Sequence, residues 1–216
     1  MTIGFMRARL WLILGACFGV AGCAALELAN REPPKLFSLT PKSTFAQGLP
    51  EIDAKLTVEV PTATAGLNTA RIALRPSPTT LEYYAGASWI DVVPVMVQNL
   101  LLESLDNVAK VDVLGREVVG VRADYALLTH IREFQAEYQR QPDQPPLIRV
   151  RLQSRLVRLP RRTSLAATSV EHTVRAEGTS VEAVVQAFDE AFGKVVKRVV
   201  EWSIERVADA QETAPG

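Results

Sequence analysis

The sequence is short of the side chains that most catalytic and metal-binding sites need. Its 216 residues include two histidines, His130 and His172, and two cysteines, Cys17 and Cys23. That stock excludes multi-histidine zinc sites and Cys-x-x-Cys clusters, and a fold stapled by several disulfides. An excess of one charge is missing too. The 24 Lys and Arg residues offset 24 Asp and Glu, a balance that gives no electrostatic footprint for nucleic acid, which usually needs a basic face or arm. There is no Gly-x-Ser-x-Gly, no HExxH and no phosphate-cradling glycine loop. Apolar residues at 48% and charged residues at 22% nevertheless match an ordinary core-bearing globular chain rather than a disordered one. At roughly 100–200 residues per domain, the length suits one domain.

Long apolar runs are also absent. The longest at the amino terminus, residues 10–21, follows Arg7 and Arg9 and spans about 18 Å as a helix, against about 30 Å of bilayer hydrocarbon. It has the length of a signal-peptide core. The run closes on Val20-Ala21-Gly22-Cys23, which resembles the bacterial lipobox. That resemblance implies a diacylglyceryl thioether on Cys23, cleavage after Gly22 and acylation, such as palmitate, of the new amino terminus. Several acyl chains hold a protein stably where one is marginal. Cys17 would leave with the leader, so the mature chain would keep one cysteine, consumed by the anchor. Loss of Arg7 and Arg9 would leave a net charge of −2.

Four units follow: residues 1–22 as lipoprotein signal, 23–50 as lipidated terminus and proline-rich tether, 51–208 as the domain, and 209–216 as a polar tail. The tether holds Pro33, Pro34, Pro41 and Pro50, and only the LFSL stretch at 36–39 reads as a strand. Alternation predicts strands over 55–60, 71–75, 81–84, 108–114, 124–138, 147–159 and 163–176. Pro94 suits a first helical turn, and Val97, Leu100, Leu101 and Leu105 continue a helix to about Asn107. Thr179-Ser180-Val181-Glu182 is a capping-box pattern. Behind it Val181, Val185, Phe188, Phe192, Val195, Val199 and Trp202 recur at fours and threes, predicting a helix with one apolar face. The fold class is therefore α/β of the α+β type: a mixed, largely antiparallel sheet with two main helices on it.

Three constellations stand out. Arg149, Arg151 and Arg155 line one strand face and could hold phosphate, but a hairpin centred on Arg161 sets Arg151 opposite Glu171, predicting cross-strand ion pairs on a solvated face. Tyr83, Tyr84 and Trp89 form a dense aromatic group and are candidate partner-docking residues; the alternative is a lip covering the sheet end. His130 and His172 read as structural histidines. No catalytic residue, cofactor or metal ligand is assigned, beyond covalent lipid on Cys23.

Asn68-Thr69-Ala70-Arg71-Ile72, Leu81-Glu82-Tyr83-Tyr84, Trp89, Pro94, the helix at 97–105, Ala123-Asp124-Tyr125, Phe134 and the terminal helix at 184–202 occur in an order that resembles the ABC-type transport auxiliary lipoproteins. The likeness covers about residues 35–205. Phe37-Ser38-Leu39 departs from it where many relatives carry tyrosine. The resemblance implies a non-catalytic accessory of an ABC system with an MCE (mammalian cell entry) domain, moving phospholipid or other hydrophobic molecules across the bacterial envelope. Its partners would be an MCE-domain protein and, through it, an ABC permease and ATPase, with a homo-oligomer as an option and no nucleic acid. Ala24 after the lipidated cysteine favours the outer membrane, facing the periplasm. The alternatives are a free-standing outer-membrane scaffold or assembly lipoprotein and, third, a lipid-anchored hydrolase.

Cys23→Ser is expected to abolish both acylation and processing. Labelled fatty acid entering the Ser variant, or its fractionation as a mature lipoprotein, would remove Cys23 as the anchor.

Overall fold

In a computed structural model of the protein, residues 33–114, 122–138 and 143–213 are described. Cys23 lies outside them. From Lys35 onward the chain forms one compact unit. Among the described residues it has nine strands and two helices: β1 Lys35–Phe37, β2 Lys55–Val58, β3 Thr62–Ala63, β4 Arg71–Ser77, β5 Thr80–Trp89, α1 Val93–Val108, β6 Asp112–Leu114, β7 Tyr125–Glu137, β8 Leu147–Arg158, β9 Thr163–Arg175 and α2 Val181–Glu212. The sheet is mixed and largely antiparallel, as the alternation predicts.

The long strand β7 is its spine. One edge pairs antiparallel with β8, which pairs with β9. The other edge is shared in turn by three short parallel strands. Leu56–Val58 of β2 lies against 125–127, Thr62 and Ala63 of β3 against His130 and Ile131, and Leu74 and Arg75 of β4 against Ala136 and Glu137. β4 then leads to β5 and β1, and β2 to β6.

Period-two alternation in β8 buries Ile148, Val150, Leu152 and Leu156 on one face and presents Arg149, Arg151, Gln153 and Arg155 on the other. The hairpin register is the expected one, with Arg151 paired to Glu171. β7 carries one extra residue between Ile131 and Glu133, at Arg132. Such a bulge resets the alternation. Leu127 and Ile131 face the helices before it, and Phe134 and Ala136 after it, all buried.

The terminal helix follows the apolar pattern, with Phe188, Phe192, Val195 and Val199 fully buried. Its cap sits one residue later than the capping box predicts: Ser180 is extended, and its side chain accepts from the Ala183 N–H at 3.2 Å. The helix also runs on to Glu212, so residues 209–212 of the expected tail belong to it, and Gln211 donates to the Asp53 carbonyl. Pro94 opens α1 as predicted. α1 continues through Val108, which shortens the strand expected over 108–114 to Asp112–Leu114.

The expected tether is corrected over residues 35–50, which belong to the folded unit. β1 pairs with the end of β5. Beyond it, polar groups on both helices satisfy backbone that has no strand partner. Thr40 N–H donates to Asp189 at 2.6 Å, Lys42 N–H to Ser104 Oγ at 2.9 Å, and Ala46 N–H to Glu201 at 2.7 Å. Asn107 Nδ2 donates to the Lys42 carbonyl, and Leu39 is buried. Proline content correctly indicated irregular backbone, but irregular chain can be held by side-chain caps.

Phe192→Ala is expected to cost about 3–5 kcal/mol, much of a typical ~5–15 kcal/mol domain stability. A thermal melt of the variant should show a large fall in midpoint.

Candidate functional site

The three aromatics singled out from the sequence do not form one surface. Between Tyr83 and Ser88 the β4–β5 register slips, with Ala73 opposite Tyr83 but Arg71 opposite Ser88. Gly86 sits at φ +66 inside this bulge, a conformation that side chains disfavour. The slip turns Ala87 and Trp89 inward. Trp89 is 1% exposed and belongs to a buried aromatic cluster, 5.8 Å from Phe134 and 5.2 Å from Phe188 between ring centroids, both edge-on. A residue in that position cannot meet a partner, so its assignment to docking is corrected to the core.

Tyr83 and Tyr84 are half-buried. The Arg71 guanidinium stacks 3.5 Å over the Tyr83 ring, and the Tyr83 hydroxyl donates to the Gly66 carbonyl. The hydroxyls of Tyr84 and Tyr138 bond at 2.8 Å. Burial, then that bond, pushes the Tyr84 phenol far above its ordinary range, so Tyr84 stays neutral. Large apolar side chains are exposed on β1 and just past the end of β5. Leu36 and Ile90 are each 63% exposed, Leu36 pairs with Ser88, and the Ile90 N–H donates to the Phe37 carbonyl. Sequence reasoning passed over these two because isolated apolar residues carry no periodic signal.

The arginine row is matched in part by carboxylates. Arg149 bonds Glu137 at 3.0 Å and also Glu171, and Arg151 lies 3.9 Å from Glu171. Arg162 grips both oxygens of Glu59, at 2.6 and 3.1 Å. Arg155 has no such partner among the described residues. It borders a shallow cleft of about 420 Å³ on the open face of the sheet, with Glu59, Thr62, His130, Arg132 and Gln153.

His130 Nδ1 lies 2.8 Å from the Thr62 hydroxyl, and no carboxylate bonds its ring among the described residues. His172 is half-buried on β9, opposite Val150. Among the described residues no group of three or more His, Cys, Asp or Glu could hold a metal ion, and no helix is long and apolar enough to cross a membrane.

Solved structures share the fold. A protein from Xanthomonas campestris superimposes with a TM-score of 0.77 at 23% identity, covering 83% of this chain and 99% of its own. An uncharacterised protein reaches 0.61 at 10% identity, covering 79% and 99%. In sequence, an uncharacterised protein of Bradyrhizobium diazoefficiens is 29% identical over 153 residues, which is 71% of this chain and 40% of that longer protein. The family described as the ABC-type transport auxiliary lipoprotein component matches residues 37–200. The chain belongs to that family.

Two variants separate core from surface. Trp89→Ala is expected to destabilise by about 3–5 kcal/mol, while Tyr84→Phe, which strands the Tyr138 hydroxyl, should cost only about 1 kcal/mol. Denaturant titration of both checks this, and equal midpoints for the two would contradict the burial pattern.

Proposed function

We propose that this transport auxiliary lipoprotein is anchored by lipid on Cys23 and acts by docking, as a non-catalytic accessory of an ABC system with an MCE-domain component. Its cargo class would be phospholipid or other hydrophobic molecules, and its station the periplasmic side of the envelope, at the outer membrane. The observation that carries this reading is the family match across residues 37–200, joined to the Val-Ala-Gly-Cys motif upstream. The chemistry near His130 supports the non-catalytic part, because its imidazole lies beside a threonine hydroxyl and, among the described residues, has no carboxylate to orient it for activating a nucleophile.

The docking surface we assign is the β1–β5 edge, where Leu36 and Ile90 are the exposed apolar side chains and the half-buried Tyr83 and Tyr84 lie further along β5. Aromatic residues are enriched at the energetic centre of interfaces, and exposed apolar area adds to what an interface can bury. Trp89 supports this edge from beneath.

Co-purification of the full chain with its cognate MCE-domain protein tests the proposal, repeated with Ile90→Ser and Leu36→Ser. Lost capture with little-changed melting is the expected result. Full capture by both folded variants would move the interface elsewhere. No capture by the parent would favour a free-standing outer-membrane scaffold.

A further inference from the structure

We infer that the cleft on the open face of the sheet is an oxyanion site of the phosphate class, formed by Arg132 and Arg155 with His130. The inference is independent of the transport reading. The guanidinium groups on this face differ in what they bond. Arg149, Arg151 and Arg162 are matched by Glu137, Glu171 and Glu59. Among the described residues, Arg132 and Arg155 bond only neutral atoms. Arg132 places Nε and Nη2 on Gln153 Oε1, at 3.0 and 2.9 Å, and Arg155 reaches Ser164 Oγ at 3.4 Å. Both border the same cleft.

Three features make this more than two loose surface cations. The bulge at Arg132 breaks the ladder there, and bulges re-aim side chains next to binding sites. The paired bonds to Gln153 hold the Arg132 fork in one orientation, which reduces the side-chain entropy lost on binding. The one acid bordering the cleft, Glu59, has both oxygens occupied by Arg162, so its charge does little to repel an anion. His130 adds a ring whose Nδ1 is committed to Thr62, which leaves Nε2 available.

Guanidinium forks fit phosphate oxygens in pairs, and a cleft of about 420 Å³ falls in the size range of small-ligand sites. Val60 and Leu128 give it an apolar shoulder. A phosphate group, free or esterified to a small organic group, suits that mixture, and its source would be a lipid headgroup or free phosphate.

The test is calorimetric titration of the full chain, in non-ionic detergent, with inorganic phosphate and with glycerophosphorylglycerol, the water-soluble headgroup of phosphatidylglycerol. Arg132→Gln and Arg155→Gln are each expected to weaken binding about tenfold, the loss of one charge-assisted bond. Arg198→Gln, on the outer side of α2, should leave it unchanged. Melting curves for all three variants establish that they fold. Saturable binding of both probes assigns the site to the phosphate group itself. Binding of the diester alone assigns it to a headgroup, and both results support the inference. A flat titration by the parent, binding that survives both cleft substitutions, or equal weakening by Arg198→Gln would overturn it.

Discussion

The phase of side chains along β7 governs how the sheet meets its helices. In a strand that alternates every residue, an uninterrupted run from Ile131 would send Glu133 toward the helices and Phe134 away from them. The additional residue at Arg132 reverses this. Phe134 then lands against Trp89 and Phe188 at 5.8 and 5.2 Å, and against Phe192 at 6.1 Å. Aromatic pairs of this kind contribute about 0.5–1.5 kcal/mol each beyond the area they bury. Because β2, β3 and β4 all take their places from the same edge of β7, and β5 and β1 follow β4, one residue of phase in one strand is felt across the whole sheet.

The open face depends on the same residue. Glu133, Gln135 and Glu137 come to lie beside the arginines of β8, and Gln135 Nε2 bridges the two acids at 2.6 and 3.1 Å. Exposed ion pairs of this sort contribute little to stability, about 0–1 kcal/mol each. Their effect is on charge distribution. They neutralise one end of the face while Arg132 and Arg155 keep their charge at the cleft.

Periodic features were legible in the sequence and aperiodic ones were not. The apolar face of α2 was readable because seven residues repeat its spacing, and the β8–β9 register followed from a turn at Pro160-Arg161-Arg162 and strict alternation. Strand β7 was visible as a segment, but its bulge was not, since a single inserted residue leaves composition unchanged. The error over Trp89 has the same origin. A positive-φ glycine at 86 and a slipped register alter which way a side chain points without altering the local pattern of residue types. The aromatic cluster near 83–89 was thus located correctly while its division between core and surface was hidden. Leu39 and the helix-capped backbone of residues 40–46 were missed because their partners, Ser104, Asp189 and Glu201, lie more than sixty positions away. Long-range caps leave no local trace.

That strap has a consequence for reach. If Cys23 carries the lipid, the length of chain between bilayer and fold is counted to Lys35 rather than to Glu51. Twelve residues can extend to about 40 Å at most, about the width of a typical domain of this size, where twenty-eight would more than double it. Effective concentration falls roughly as the −3/2 power of linker length once the linker can span its sites. With such an anchor, clipping residues 40–46 to both helices would shorten the reach of the proposed docking edge, and a partner would have to come within that shorter span to be met.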